Sequence, residues 1–259
     1  MTDTILLERD GPIASVTLNR PHKLNALTRP MWERLGDVFL ELGTDESLRC
    51  LVLRGAGEKA FAPGNDISEF ETERSNVAQA RAYGAIMHRT LRAIDECPLP
   101  TVALIQGICV GGGLEIAGLC DIRICGESSR FGAPINKLGL VMAYPEAGAL
   151  VKLVGRAVAL EILLEGRVFD AAEAKEKGIV TRGVADHAVV EEAYASARRI
   201  SEGAPLVARW HKQFIRRLAD PAPLTPEELD EGYACFGTED FRIGYRAFLA
   251  KEKPRFQGR

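Results

Sequence analysis

Two short apolar runs constrain this chain more than anything else in it. Residues 50–55 (CLVLRG) and 101–107 (TVALIQG) are continuously apolar and end in glycine. Runs of that length are strands buried on both faces, which a sheet covered by helices requires. Residues 121–126 (DIRICG) read as a third such strand. Helical segments stand between them. From Thr28, the residues Met31, Leu35, Val38, Phe39 and Leu42 fall on one face at helical spacing. Asn76 to Glu96 reads as a helix that Pro98 and Pro100 stop. Ahead of these, two apolar runs flank Asp10-Gly11 (TILLERDGPIASVTLNRP), a hairpin signal. Strands and helices alternate to about residue 185, so the fold class is α/β. No fixed sequence period is visible.

The last third changes character. Asp170 and Glu173 make a capping pattern before AKEKG, and Gly178 ends that helix. A short strand (GIVTRGV) follows, then helix almost to the end. Thr225-Pro226-Glu227-Glu228 starts one helix and Thr238 another, which carries Phe241, Tyr245, Phe248 and Leu249. This much apolar surface in a terminal segment closes over the core or builds a subunit interface. The expected division is a core over 1–195 and a helical region over 196–259.

Composition narrows the function. The 259 residues carry a net charge of -3 and no basic block, which argues against a nucleic-acid partner. No stretch is apolar enough to span a membrane, and the acidic start MTDTILLERDG does not read as a signal peptide. The six cysteines form no C-x-x-C pair and read as reduced, buried thiols of a cytoplasmic protein. No metal site is expected. The four histidines are scattered and read as surface or packing residues. Gly55-Ala56-Gly57 follows a strand like a dinucleotide fingerprint, but Pro63 and Gly64 break the chain where the helix of that motif must begin.

One segment has chemistry in it. In GICVGGGLEIAGLCD, Glu115 is the single charge between Gly111-Gly112-Gly113 and an apolar run. Glycine lets another molecule approach the backbone. A helix starting there aims unpaired N–H groups and its positive dipole end outward, suited to an oxygen that becomes negative during reaction. Glu115 stands one turn in, within reach of the same substrate. The alternative is a tight strand-to-helix crossing with Glu115 as a helix-start acid. A second glycine turn, KAFAPGNDISEF, can supply a second N–H donor at Asn65.

With these segments in order, the chain resembles the crotonase superfamily, the enoyl-CoA hydratase/isomerase family. VTLNRPHKLNALT, KAFAPGNDISEF, QGICVGGGLEIAGLCDIRI, RFGAPINKLGL, GRVFDAAEAKEKGIV and EDFRIGYRAFLAKEKPRFQGR carry the likeness over the whole length. The resemblance implies a spiral of ββα turns and a C-terminal helical region that forms a homotrimer or a dimer of trimers. It implies a CoA thioester substrate and no separate cofactor. The thioester oxygen would lie between the N–H groups of Asn65 and Gly112, beside Gly111, with Glu115 as the family's first catalytic glutamate. CoA would run along Lys23, Leu24 and Ala26 and the turn containing Ala62, Gly64, Asp66 and Ile67. Phe248 and Lys251 would line its channel.

The departures carry as much weight. The family's second glutamate maps to Ile135, after Pro134, and an isoleucine moves no proton. The following loop, VMAYPEAGAL, replaces the family's Pro-Gly-x-Gly-Gly run. Glu146, Asp66, Glu69 and Tyr144 are candidates for the lost acid, each with a plain reading as a loop or cap residue. Glu146 is the best, since it follows Pro145 at a helix start. The expected activity is hydration of a 2-enoyl-CoA with one catalytic glutamate. Double-bond isomerisation stands next, because one base suffices for it. Decarboxylation of a malonyl-type thioester ranks third, with Tyr144 to orient the carboxylate and Glu115 repelling it. A non-catalytic thioester binder is the reading from a different class.

Overall fold

The computed structural model describes residues 3–259, so the reading of the N-terminal segment falls in part on Met1 and Thr2, outside the described residues. The strands are β1 (Ile5–Asp10), β2 (Ile13–Leu18), β3 (Cys50–Gly55), β4 (Ala60–Ala62), β5 (Thr101–Ile105), β6 (Ile108–Val110), β7 (Ile122–Gly126), β8 (Arg130–Gly132), β9 (Val168–Asp170) and β10 (Arg182–Val184). The helices are α1 (Arg29–Gly43), α2 (Phe70–Glu73), α3 (Val77–Asp95), α4 (Gly112–Leu119), α5 (Tyr144–Glu165), α6 (Ala171–Glu176), α7 (Val189–Ser201), α8 (Pro205–Arg217), α9 (Pro226–Glu231) and α10 (Glu239–Ala250). Gly155 interrupts α5 with a non-helical φ of 76°.

Ten strands divide into two sheets among the described residues. The larger runs β1-β2-β3-β5-β7-β10, parallel throughout except for the β1-β2 hairpin. The smaller runs β4-β6-β8-β9, with β9 antiparallel. A long strand in one sheet is followed each time by a short strand in the other and then by helix: β3-β4-α2-α3, β5-β6-α4, β7-β8-α5. This is a ββα spiral, and its turns stack in register because both sheets pair the same successive turns.

The apolar positions explain the layers. Met31, Trp32, Leu35, Val38 and Phe39 of α1 are buried in the main core with Leu51 and Leu53 of β3 and Leu91 and Ile94 of α3. The other face of the larger sheet presents Val52, Val102, Leu104 and Ile124, and Val189, Ala193 and Ala197 of α7 cover it. Residue 195 lies inside α7. The capping signals hold in detail. Asn76 and Asp170 each cap their helix, accepting from Gln79 N and Glu173 N, and Thr225 with Glu228 forms a full capping box. After Gly55-Ala56-Gly57 comes the strand β4, not a helix, so the dinucleotide motif is absent there.

Lys212 of α8 reaches back to the core, bonding Leu99 O at 2.8 Å and Asp121 at 2.7 Å. The C-terminal tail returns to α10, where the Asp240 carboxylate accepts from Gln257 N and Gly258 N. Much of this region's apolar surface stays uncovered in the single chain: Ile215, Tyr233, Phe236, Phe248 and Leu249 are all exposed. Five cysteines are buried and Cys235 is half-buried, all as free thiols. Among the described residues no helix is long and apolar enough to cross a membrane.

Candidate active site

The site is assembled at three equivalent corners of the spiral. Each short strand of the smaller sheet ends in a turn: β4 leads to Gly64, β6 to Gly111, and β8 through Gly132 to a 3-10 helix over Pro134–Leu138. Since β4, β6 and β8 are neighbours, the three turns lie side by side. Two of them touch. Gly64 has φ of +101°, and a Cβ there would stand 2.9 Å from Gly112 N. A Cβ on Gly113 would meet Ala62 O at 2.1 Å. Only glycine permits both the backbone angle and the approach.

Two N–H groups are free to meet a ligand at this contact. Leu27 pairs with Asn65 in a parallel bridge: Leu27 N donates to Gly64 O at 2.9 Å and Asp66 N to Leu27 O at 2.8 Å. That pattern turns the N–H of Asn65 itself away from Leu27. Gly112 is the first residue of α4, where no intrahelical acceptor exists. Neither N–H has an acceptor among the described residues. The Asn65 turn is held rigid by its side chain, whose Oδ1 accepts from Trp32 Nε1 at 2.6 Å.

Both N–H groups face a cavity of about 880 Å³, within the range of small-molecule sites. Its wall includes Gly64, Asn65, Ile67, Gly111, Gly112, Glu115, Pro134, Ile135 and Glu146. Phe70, Val77, Met87, Leu138, Val141 and Met142 make most of the rest apolar, while Arg74, Arg81 and His88 add polar groups. The side chain of Ile135 thus stands in the same space as Glu115.

Glu115 is half-buried, and its Oε2 is inaccessible and without a partner. Burial pushes its pKa up to about 8; the charge of Glu146 raises it further and that of Arg74 opposes. Desolvation is thus the largest influence on this carboxyl group. A pKa pushed up to about 8 favours the protonated form of Glu115 at neutral pH.

Of the four candidates for the lost acid, the structure places one, Glu146, on the cavity wall shared by Glu115 and the two N–H groups. Glu146 is buried at the start of α5 and lines the same cavity. Asp66 caps the 3-10 helix Ile67–Glu69 through Ser68 N and pairs with Arg20 at 3.0 Å. Glu69 accepts from Arg29 N at 2.9 Å and from Tyr83 Oη at 3.0 Å. Tyr144 is almost wholly exposed and lines a second cavity, of about 580 Å³, on the other side of Glu146.

The other expected residues are placed as follows. Ala62 is buried beneath Gly113. Lys23 and Leu24 are exposed, and Leu24 borders a shallow hollow of about 240 Å³ with residues 56–60. Ala26 is buried, and its carbonyl accepts from Arg20 at 2.7 Å. This segment adjoins the Asn65 turn through Leu27. Phe248 is exposed on α10 and Lys251 follows it; neither lines the cavity within one chain.

Three site residues escaped the sequence. His88, expected as a surface or packing residue, has Nε2 3.0 Å from Glu146 Oε1. The packing of α3 against α5 brings together these residues, 58 positions apart. Arg74 stacks on Phe70 and Tyr83 at 4.7 and 4.8 Å and carries a buried Nη1 without a partner. Trp32 was legible as apolar, and its buried indole N–H signals a partner, but not which.

Comparison with known proteins decides the family. The family model described as Enoyl-CoA hydratase/isomerase matches residues 8–259. The chain belongs to the enoyl-CoA hydratase/isomerase family. A crystal structure of an enoyl-CoA hydratase/carnitine racemase from Magnetospirillum magneticum is 52% identical, with a TM-score of 0.98 over 100% of this chain and 97% of that one. The short-chain-enoyl-CoA hydratase of Clostridium acetobutylicum is 33% identical over 97% of this chain and 96% of its own length. The crotonyl-CoA hydratase of Syntrophomonas wolfei is 30% identical over 98% of both. The crotonase fold of the family accounts for the ββα spiral described above.

Proposed function

We propose that the chain is an enoyl-CoA hydratase that adds water to a 2-enoyl-CoA through a thioester enolate. The observation that supports this most directly is the protonatable Glu115 beside two unpaired N–H groups on a cavity wall. The thioester oxygen accepts from Asn65 N–H and Gly112 N–H, and both bonds strengthen as the oxygen gains charge. Water attacks C3, the C2–C3 π pair moves toward the carbonyl, protonated Glu115 delivers its proton to C2, and the surplus proton of the water passes to the carboxylate side of the site, which restores the acid. Lys23, Leu24 and Ala26 and the 62–67 turn carry CoA. Phe248 and Lys251 meet it from a neighbouring chain, in a homotrimer or dimer of trimers joined through the exposed apolar surface of α8 to α10. The protein works without a metal or separate cofactor, in the cytoplasm.

Isomerisation is the second reading, and Ile135 favours it, because an apolar residue at that wall excludes water. Mass spectrometry of purified protein with crotonyl-CoA and a 3-enoyl-CoA separates them. Gain of one water on crotonyl-CoA, lost in Glu115→Gln, is the expected result. A mass-neutral shift of the double bond with no hydration overturns the hydratase reading in favour of isomerase.

A further inference from the structure

The wall between the two cavities is built of acid. Glu115, His88 and Glu146 line both the 880 Å³ and the 580 Å³ spaces. A gap of about 20 Å³ is bordered by both Glu115 and Glu146 and otherwise by apolar and small residues. That is room for one water. Glu146 is more than nine-tenths buried, and its Oε2 has no partner; Glu115 Oε2 has none either. Glu146 Oε1 is taken by His88. A buried carboxylate oxygen with nothing to bond costs free energy that packing alone does not return. Both residues that carry these orphaned oxygens border the gap with room for a water.

Resting on the hydratase reading, we propose that Glu146, held by His88, is the second acid-base group of this enzyme, reached from α5 because the corner at residue 135 carries an isoleucine. His88 donates Nε2–H to Glu146 Oε1 and fixes the carboxylate, leaving Oε2 for the water. As the water oxygen bonds to C3, one water proton passes to Glu146 Oε2 and the C2–C3 π electrons move onto the thioester. Glu115 then gives its proton to C2. The enzyme ends with the proton on Glu146 rather than Glu115, and transfer across the gap between them restores it. Glu146 is a catalytic residue in this scheme and His88 a positioning residue. The second cavity gives Glu146 a face open to bulk water while the acyl thioester fills the first.

Two reactions of the same site separate this role from a structural one. Hydration of crotonyl-CoA needs both groups. Exchange of the C2 protons of saturated butyryl-CoA with deuterium oxide needs only Glu115 and the two N–H donors. Glu146→Gln should lose about 10²–10⁴-fold in hydration kcat, the usual range for one acid-base group, with KM little changed and exchange retained. His88→Gln, which keeps an N–H donor, should hydrate faster than His88→Leu, which should fall about 10- to 100-fold, as for a lost hydrogen bond to a charged group. Near wild-type hydration by Glu146→Gln overturns the proposal. So does parallel loss of hydration and exchange, which marks Glu146 as a support for the fold around Glu115. If the wild type exchanges C2 protons without hydrating, the hydratase reading itself fails, a result distinct from either.

Discussion

Glu115 is a carboxyl group held against its own ionisation. Its pKa near 8 arises mainly from burial, with Glu146 adding and Arg74 opposing. Two predictions follow at this scale. Hydration uses the protonated form, so kcat/KM for crotonyl-CoA should fall as pH rises through about 8, while C2 exchange, which uses the carboxylate, should rise over the same range. A pH series on both reactions checks this, and a limb moving the same way in both contradicts it. Stability follows by linkage. A folded pKa raised above the unfolded value means that the stabilising contribution is full below about 4.5 and is lost as pH rises through about 8. Glu115→Gln should therefore melt above the wild type at pH 7, while its hydration kcat falls about 10²–10⁴-fold. Thermal melts at acid and neutral pH test the sign, because the advantage should vanish at low pH.

At the scale of elements, the corners of the smaller sheet make the site. Gly64→Ala should destabilise by about 1–3 kcal/mol, the usual cost of a residue forced into a poorly populated backbone region, since φ is +101° and the new Cβ meets Gly112 N. It should also disturb the oxyanion contact, so urea unfolding and hydration kcat should decline together. Trp32→Phe keeps the apolar bulk and removes only the bond to Asn65 Oδ1. Its fold should persist while kcat drops about 10-fold, as for one hydrogen bond. The long strands and helices were legible because six or more residues display a period or a run. The short strands β4, β6 and β8 were not: three residues beside glycine carry no period, and ICV passed for part of a turn. The ββα regularity was therefore invisible as sequence repetition. Glu146 was readable as a candidate from its place after Pro145. His88 was not, because nothing local marks the residue that α3 presents to α5 from 58 positions away.

For the whole molecule, the exposed Phe236, Tyr233, Phe248 and Leu249 on the C-terminal helices call for cover. Light scattering should give a mass of three or six copies of the 28.2-kDa chain. Leu249→Glu should shift it downward; a wild type that runs as a monomer at micromolar concentration contradicts the assembly. The stacked spiral also bears on how such a molecule can change over generations. In the proposed site Asn65 and Gly112 would act through main-chain N–H groups, which survive as long as the glycine turns keep their shape, whereas residues 135 and 146 would act through side chains on separate turns. On that reading, descent could rewrite the proton chemistry through single side chains while the main-chain grip on the enolate is inherited with the fold.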